Sequence, residues 1–259
     1  HYIVMESVYG DRVHEARDDR RDILEEAVEA ARREHGILLI PSFSIERTQV
    51  LLFELSTLVD RGMQPIPVYL DAPLAIRVTA LFERYSELLN ENVRAHFAKG
   101  EDPFSFKGLR VIKDVKESQA IHKESDPKVI IAGAGMSGGG RIRSHEKRYL
   151  SHKQAIVLFA GFQAPGTLGR ALIDGARHIE IDGEGIRVRA QMRQLTGYSG
   201  HADRDQLLAF AERAGKGLER VFVTMGEPKA STYLAQRMHD FLGLDARVPQ
   251  QGESAELEF

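Results

Sequence analysis

The amino-acid sequence predicts an α/β fold in which a mainly parallel sheet is covered by helices on both faces. Short apolar runs typical of buried strands alternate with longer segments whose apolar residues recur at helical spacing. Parallel strands joined by helices bury both faces of a sheet, which explains runs without polar alternation. With 259 residues, of which 42% are hydrophobic, the chain can form one large domain or two ordinary ones.

Strand and helix patterns alternate regularly up to about residue 150. The helix predicted at 18–34 has one apolar face and ends at Gly36, because glycine readily follows a helix end. A second helix is predicted to begin at Ser44, whose side chain would cap it. Further helical stretches follow up to Lys99 and at 117–122. The strands predicted between these helices are 2–7, 37–41, 66–71, 109–115 and 128–133.

The character of the sequence changes near residue 155. A strand is predicted at 155–162. The segment 177–195 alternates apolar and polar residues across Gly183 and Gly185, which predicts a hairpin. We therefore place a domain boundary near residues 151–154. The elements predicted after the hairpin are a helix at 203–215, a strand at 220–228, a helix at 229–243 and an extended tail at 246–259.

Composition narrows the classes of site that the chain can hold. The absence of cysteine excludes disulfides and thiolate metal sites, so any metal must use histidine and carboxylate ligands. A net charge of −3 gives no global attraction for nucleic acid, but it does not exclude a local basic cleft. No apolar run reaches the roughly 20 residues of a membrane span, so a cytoplasmic location is expected.

A glycine-rich segment, AGAGMSGGGRIRSHEKRYL, lies between a predicted strand and a predicted helix. Glycines let a backbone approach an anion closely, so a phosphate-binding loop is one interpretation, and a tight structural turn is an equal alternative. The segment matches neither the dinucleotide-binding pattern nor the P-loop. The basic residues that follow form either an anion site or a solvated helix face: Arg141, Arg143, His145, Lys147 and Arg148.

Two strand-end acids and one histidine are further candidates for a site. Glu6 and Asp71 each end a predicted strand, where open α/β sheets often bind ligands, but a satisfied turn acid is the competing interpretation. In the stretch GYSGHAD, His201 lies on a turn before a helix and could exchange a proton near neutral pH. The competing interpretation is an exposed loop histidine beside a helix cap formed by Ser199 or Asp203.

Taken together and in order, several segments resemble motifs of the β-CASP branch of the metallo-β-lactamase superfamily, which contains RNA-processing nucleases. The resemblance implies an α/β β-CASP domain inserted into a metallo-β-lactamase αββα domain. Residues 1–7 would then end the first half of the lactamase domain, residues 8–154 would form the β-CASP domain, and residues 155–259 would form the C-terminal part of the lactamase domain. The segments are MESVYGDRVH, IPSFSIERTQVLLFEL, VYLDAPLA, AGAGMSGGGRIRSH, FAGFQAPGTLGRALIDGA and GYSGHAD.

The resemblance implies zinc as a cofactor, with two ions in the family, but the expected ligands are missing from this chain. The family's HxHxDH motif lies upstream of the first matching segment and has no match here, so the sequence predicts a fragment that begins within a strand. The family's strand ending VHGE, whose histidine binds the second zinc, is VFVTMGE here, with Met225 at the histidine position. A thioether is a poor zinc ligand among oxygen and nitrogen donors. No metal ligand is therefore assigned in this chain.

The resemblance also implies roles for individual residues. His201 would be the general acid and Glu6 the carboxylate that orients it across the cleft between the two domains, since a carboxylate partner favours the protonated histidine. The glycine-rich loop and the helix after it would hold RNA phosphates. The residues assigned to RNA or phosphate binding are Ser42, Ser44, Gly138, Gly139, Arg141 and His145.

The function that the resemblance implies for the whole protein is a zinc-dependent ribonuclease of RNA processing or decay, with the fragment alone inactive. A catalytically inactive RNA-binding or scaffold relative is the alternative, and Met225 favours it. A nucleotide-binding α/β enzyme that uses the glycine-rich loop is a third hypothesis. RNA is the expected partner, no membrane partner is expected, and a homodimer is a candidate assembly.

Overall fold

The computed structural model describes residues 1–215 and 217–257. The chain forms two compact units, which we call the larger unit (Glu15–Tyr198) and the smaller unit (His1–His14 with Ser199–Phe259). The last two residues of the predicted tail, 258–259, lie outside the described residues. Within the described part of the chain, no helix combines the length and apolarity required to cross a lipid bilayer.

A six-stranded sheet forms the centre of the larger unit. Its strands are β2 (Ile37–Pro41), β3 (Val68–Asp71), β4 (Leu109–Val111), β5 (Lys128–Ala132), β6 (Ala155–Phe159) and β9 (Gln191–Gln194). Their order across the sheet is β4-β3-β5-β2-β6-β9, and each neighbouring pair is parallel. Ile37 in the central strand aligns with Lys128 on one side and Ala155 on the other.

Helices cover both faces of this sheet because the strands bury alternate residues in two separate cores. Leu38 and Ile40 of β2 belong to one hydrophobic cluster, whereas Ile37 and Leu39 belong to the other. A separate antiparallel hairpin consists of β7 (His178–Ile181) and β8 (Glu184–Arg187). The helices are α1 (Arg17–Arg33), α2 (Arg47–Asp60), α3 (Pro73–Arg84), α4 (Glu91–Ala98), α5 (Val115–Ala120), α6 (Ile142–Tyr149) and α7 (Leu168–Ile173).

The smaller unit is built on a three-stranded parallel sheet. Its elements are β1 (Tyr2–Glu6), α8 (Arg204–Arg213), β10 (Arg220–Thr224), α9 (Pro228–Leu242) and β11 (Asp245–Arg247). Met5 and Val223 pack with helix residues such as Leu234 in a buried core. Val4, on the opposite side of β1, is 71% exposed. The sheet is therefore covered on one face, although the apolar run of β1 predicted burial on both.

The structure confirms the predicted α/β class with mainly parallel sheets. The predicted boundary near residues 151–154 lies inside the larger unit, because β6 pairs with β2 and β9 pairs with β6. The predicted cap at Ser44 is wrong, since α2 begins at Arg47 after Glu46 and has no side-chain cap.

Candidate active site

Glu6 and His201 form a hydrogen-bonded pair within the smaller unit. Nδ1 of His201 lies 2.7 Å from Oε2 of Glu6, although 195 positions separate the two residues in sequence. The other carboxylate oxygen, Oε1, accepts the backbone N–H of Ala202 at 3.2 Å. Both residues belong to one compact unit, so the expectation that they face each other across two domains is corrected.

The geometry of this pair leaves one ring nitrogen of His201 available. Its Nδ1 is held by Glu6, and among the described residues none forms a hydrogen bond to Nε2. The His201 side chain is 46% exposed, whereas the Glu6 side chain is 24% exposed. A half-exposed imidazole that is fixed through Nδ1 can present Nε2 to a reacting oxygen.

Local hydrogen bonds explain why the turn holds His201 in this position. The backbone N–H of His201 donates to Oγ of Ser199 at 3.1 Å. Asp203 then caps α8 in a capping box with Gln206. The interpretation of Asp203 as a helix cap is therefore correct, but it does not replace a role for His201, because the cap helps to fix the turn.

His14 is a further residue of this site that was not among the candidates predicted from the sequence. Nε2 of His14 lies 3.0 Å from the backbone carbonyl oxygen of His201, and the backbone N–H of His14 donates to Oδ2 of Asp203 at 3.1 Å. The ring of Tyr9 packs edge-on against His14 with the ring centroids 4.5 Å apart. The sequence did contain an indication of His14, because this residue is the last one of the segment MESVYGDRVH that resembles a family motif.

Met225 follows β10 and lies one residue beyond Thr224, the register partner of Glu6. Its φ of 61° is in the left-handed region, its side chain is 75% exposed, and the Gly226 N–H donates to the Thr224 carbonyl at 2.8 Å. A Cβ on Gly226 would lie 2.7 Å from Oγ of Ser231, so glycine is required there. The turn is thus tightly built around an exposed thioether.

The glycine-rich loop of the larger unit offers two free backbone amides. Among the described residues, none accepts a hydrogen bond from the N–H of Gly138 or Gly139, and a Cβ on either glycine would meet open space. Gly140, in contrast, has a φ of 70° and lies close against the backbone of Gly133. Free N–H groups at an open loop are suited to bind an anion such as phosphate.

Arg141 and His145, both predicted to bind RNA, instead contact the buried carboxylate of Asp71. His145 Nε2 lies 2.8 Å from one oxygen of Asp71, Ser118 donates to the same oxygen, and Arg141 donates to the other. Burial opposes ionisation of Asp71, but the hydrogen bonds from His145, Ser118 and Arg141 lower the pKa of its carboxyl below the usual value. The predicted direct phosphate contact through His145 is therefore corrected: this side chain is buried and holds α6 on the sheet.

Ser42 and Ser44, the other predicted RNA contacts, are part of the local loop structure. The buried Ser42 hydroxyl lies 3.0 Å from the Thr48 hydroxyl and donates to the Phe43 carbonyl at 3.3 Å. The Ser44 carbonyl accepts from Gln49 at 3.2 Å. Ser42 therefore orders the start of α2, and its hydroxyl is already engaged.

Comparison with known protein families decides the identity of the chain. The family model described as Beta-Casp domain matches residues 48–172, and the model described as Zn-dependent metallo-hydrolase RNA specificity domain matches residues 185–249. The chain belongs to the β-CASP branch of the metallo-β-lactamase superfamily. This β-CASP membership replaces the hypothesis of a nucleotide-binding enzyme built on the glycine-rich loop.

Several curated relatives are similar to this β-CASP chain over most of its length. A ribonuclease of Thermus thermophilus is 38% identical over 226 residues, which is 87% of this chain and 51% of the relative. The transcription termination factor FttA of Pyrococcus abyssi is 31% identical over 98% of this chain and 40% of its own length. FttA of Methanosarcina mazei is 30% identical over 98% of this chain and 41% of its own length. The chain thus spans between 40% and 51% of the length of these relatives.

The described residues of this β-CASP chain do not fit a zinc site. Among them, no three histidine, aspartate or glutamate side chains cluster so that they could hold a metal ion. Both oxygens of Glu6 and Nδ1 of His201 are already hydrogen-bonded within the chain. Met225 supplies a thioether, which zinc binds poorly beside nitrogen and oxygen donors. No chemical step in this chain is therefore assigned to zinc.

Proposed function

We propose that the whole protein is a nuclease that hydrolyses RNA phosphodiester bonds, with His201 as the proton donor and Glu6 as the carboxylate that positions it. The observation that carries this proposal is the 2.7 Å contact between His201 Nδ1 and Glu6 Oε2, which leaves Nε2 available. The name of the Thermus thermophilus relative, a ribonuclease, supports RNA as the substrate.

The proton transfer that this geometry supports is simple. Water adds to phosphorus and gives up one proton to solvent, the bond from phosphorus to the leaving oxygen breaks, and that oxygen takes a proton from Nε2 of His201. His201 then regains a proton from solvent. The Glu6 carboxylate is hydrogen-bonded to Nδ1 and fixes the orientation of the ring, as carboxylates do in other histidine-based sites. Because Glu6 also accepts the Ala202 N–H, rotation of the carboxylate away from His201 would break two hydrogen bonds.

The backbone amides of Gly138 and Gly139 are the proposed phosphate contacts. Their N–H groups have no partner among the described residues, and the space around them is open. Arg141 contributes positive charge near this loop, but Asp71 partly neutralises it. Phosphate binding through uncharged amides requires no side-chain reorganisation, so this loop is a preorganised site.

The domain assignment also belongs to this proposal. The Beta-Casp match at 48–172 lies within the larger unit, which we therefore assign to the β-CASP domain. We assign the smaller unit to the lactamase domain, supported by the match at 185–249, much of which lies in that unit. We also propose that the whole protein depends on zinc, and the description of that second family model supports this proposal. A cytoplasmic location and a homodimer both stay predictions, the second for sedimentation analysis.

The test is the change His201→Ala in the whole protein, with RNA cleavage and RNA binding measured separately. General acids typically contribute about 100- to 10,000-fold, so we expect turnover to fall at least about 100-fold while affinity stays nearly unchanged. Glu6→Gln should also lower turnover, because an amide whose oxygen accepts from Ala202 presents an N–H donor, and no acceptor, to Nδ1 of His201. A His201→Ala protein that loses RNA binding and keeps turnover would contradict the assignment.

A non-catalytic RNA-binding scaffold is the second candidate, and Met225 is the observation that favours it. The family's ligand position at the end of β10 is an exposed methionine with no metal-binding partners among the described residues. Against it, the Glu6–His201 pair is intact, and a scaffold does not need this pair for proton transfer. A whole protein that binds RNA tightly without cleaving it would favour the scaffold.

A further inference from the structure

Phe43 is an exposed aromatic residue with an unusually well-fixed backbone. It follows the central strand β2 by two residues and is 43% exposed. Its carbonyl oxygen accepts three hydrogen bonds, from the Thr48 hydroxyl at 2.7 Å, the Thr48 N–H at 3.3 Å and the Ser42 hydroxyl at 3.3 Å. Exposed aromatic rings on rigid backbone are typical of binding sites, because little freedom is lost on binding.

The glycine-rich loop supports one side of the Phe43 ring. A Cβ added to Gly135 would lie 2.6 Å from Cδ2, 2.7 Å from Cε2 and 2.8 Å from Cγ of that ring. The ring therefore lies against glycine backbone at a distance that no other residue permits. Gly135 itself is held in place, because Gln163 Nε2 donates to its carbonyl at 3.0 Å.

A strained turn follows directly and belongs to the same exposed segment. Glu46 has φ 63° and ψ −57°, and the Arg47 N–H donates to the Ile45 carbonyl at 2.7 Å across it. This is a γ-turn with positive φ, a rare conformation for a non-glycine residue. Strained backbone concentrates at ligand-binding segments, where the surrounding structure maintains it. Ile45, inside this turn, is 61% exposed.

We propose that Phe43 is a stacking platform for one RNA base, next to the phosphate site at Gly138 and Gly139. The proposal rests on the proposed function, since it names where the RNA lies. Three residues span at most about 10 Å of extended chain, so Gly135 and Gly138 are within the reach of a single nucleotide. Aromatic platforms accept any base through its π-face, so the site holds single-stranded RNA with little sequence preference.

The experiment uses short single-stranded RNAs in which 2-aminopurine occupies each position in turn, because stacking on an aromatic ring quenches its fluorescence. The 259-residue chain contains no tryptophan, so in experiments with this chain the signal comes from the probe alone. We expect one position to be strongly quenched by the wild-type chain. Phe43→Leu should abolish that quench and weaken binding by about 5- to 150-fold, the range that loss of one stacked base gives. Phe43→Tyr, which keeps the ring, should retain both.

Phe210→Leu is the matched control, because Phe210 is a 52% exposed aromatic on α8 in the smaller unit. It should leave quenching and affinity unchanged, and circular dichroism should show equal folding of all variants. His201→Ala should also keep the quench, which separates base stacking from proton transfer. RNA binding that is equal in wild type and Phe43→Leu overturns the platform alone. A wild-type chain that binds no RNA overturns the platform, whereas a whole protein that neither binds nor cleaves RNA overturns the proposed function.

Discussion

Glu146 links the stability of the larger unit to pH at the base of the glycine-rich loop. It is fully buried on α6, where Ser137 of the loop donates to Oε1 and Oε2 has no partner among the described residues. Burial disfavours the charged form and raises the pKa of this carboxyl to about 8, although the Ser137 hydrogen bond and the charge of Arg143 act in the opposite direction. Glu146 is therefore protonated in the folded protein at neutral pH.

A raised folded-state pKa makes the protein less stable as pH increases. Below the unfolded-state pKa of about 4.5, both the folded and the unfolded protein carry the proton, and protonated Glu146 makes its full contribution to the free energy of unfolding. Between about 4.5 and about 8 the folded state binds one more proton than the unfolded state, so the free energy of unfolding falls by about 1.4 kcal/mol per pH unit. From pH 5 to pH 8 the loss is on the order of 4 kcal/mol.

The variant Glu146→Gln has the shape of the protonated residue without its ionisation. We expect it to match wild type at pH 5 to within about 1 kcal/mol, and to exceed wild type increasingly up to pH 8. Urea unfolding followed by circular dichroism at four pH values measures the difference. Glu87→Gln, at an exposed position, is the control and should leave the pH dependence unchanged. The same pH slope in Glu146→Gln and in wild type would show that Glu146 is already ionised in the folded protein, which contradicts the prediction.

Three further predictions concern metal and the buried network. After mild chelation, the 259-residue chain should retain well below one zinc ion per chain, because no ligand cluster lies among its described residues. Elemental analysis measures the zinc content, and stoichiometric zinc would contradict this prediction. In the whole protein, Met225→His should raise zinc content and RNA cleavage at equal free zinc, since histidine tolerates the positive φ there; no gain in metal would indicate a remodelled site and favour the scaffold. Asp71→Asn should lower the free energy of unfolding by about 3 kcal/mol, because Arg141 and His145 lose a buried partner. The control Asp174→Asn, in an exposed pair with Arg170, should lower it by less than about 1 kcal/mol.

Local pattern was sufficient to predict the elements whose burial is uniform. The mainly apolar runs at β2, β5 and β6 are buried on both faces, and short runs without polar alternation are typical of central strands of a parallel sheet. The β7–β8 hairpin was also predicted correctly. The parallel pairing of β9 with β6 was not predicted, because strand order depends on contacts between distant segments rather than on local periodicity.

The site shows the same division between local and distant information. The segments that contain Glu6 and His201 could be matched to a family, but no spacing rule joins residues 195 positions apart. The basic run after the glycine-rich loop suggested a phosphate surface, whereas Arg141 and His145 are held by Asp71, a partner that lies 70 or more positions earlier. Ser44 suggested a helix cap, but the γ-turn at Glu46 delays the start of α2.

The role of His201 as proton donor is tested most directly by changing the leaving group. In the whole protein, wild type and His201→Ala are compared on RNA and on a phosphodiester that releases 4-nitrophenolate, a leaving group that needs no proton. The predicted result is a loss of about 100-fold or more on RNA and a loss of less than about 10-fold on the nitrophenyl ester. Equal losses on both substrates would show that His201 does not protonate the leaving oxygen, and would contradict the account.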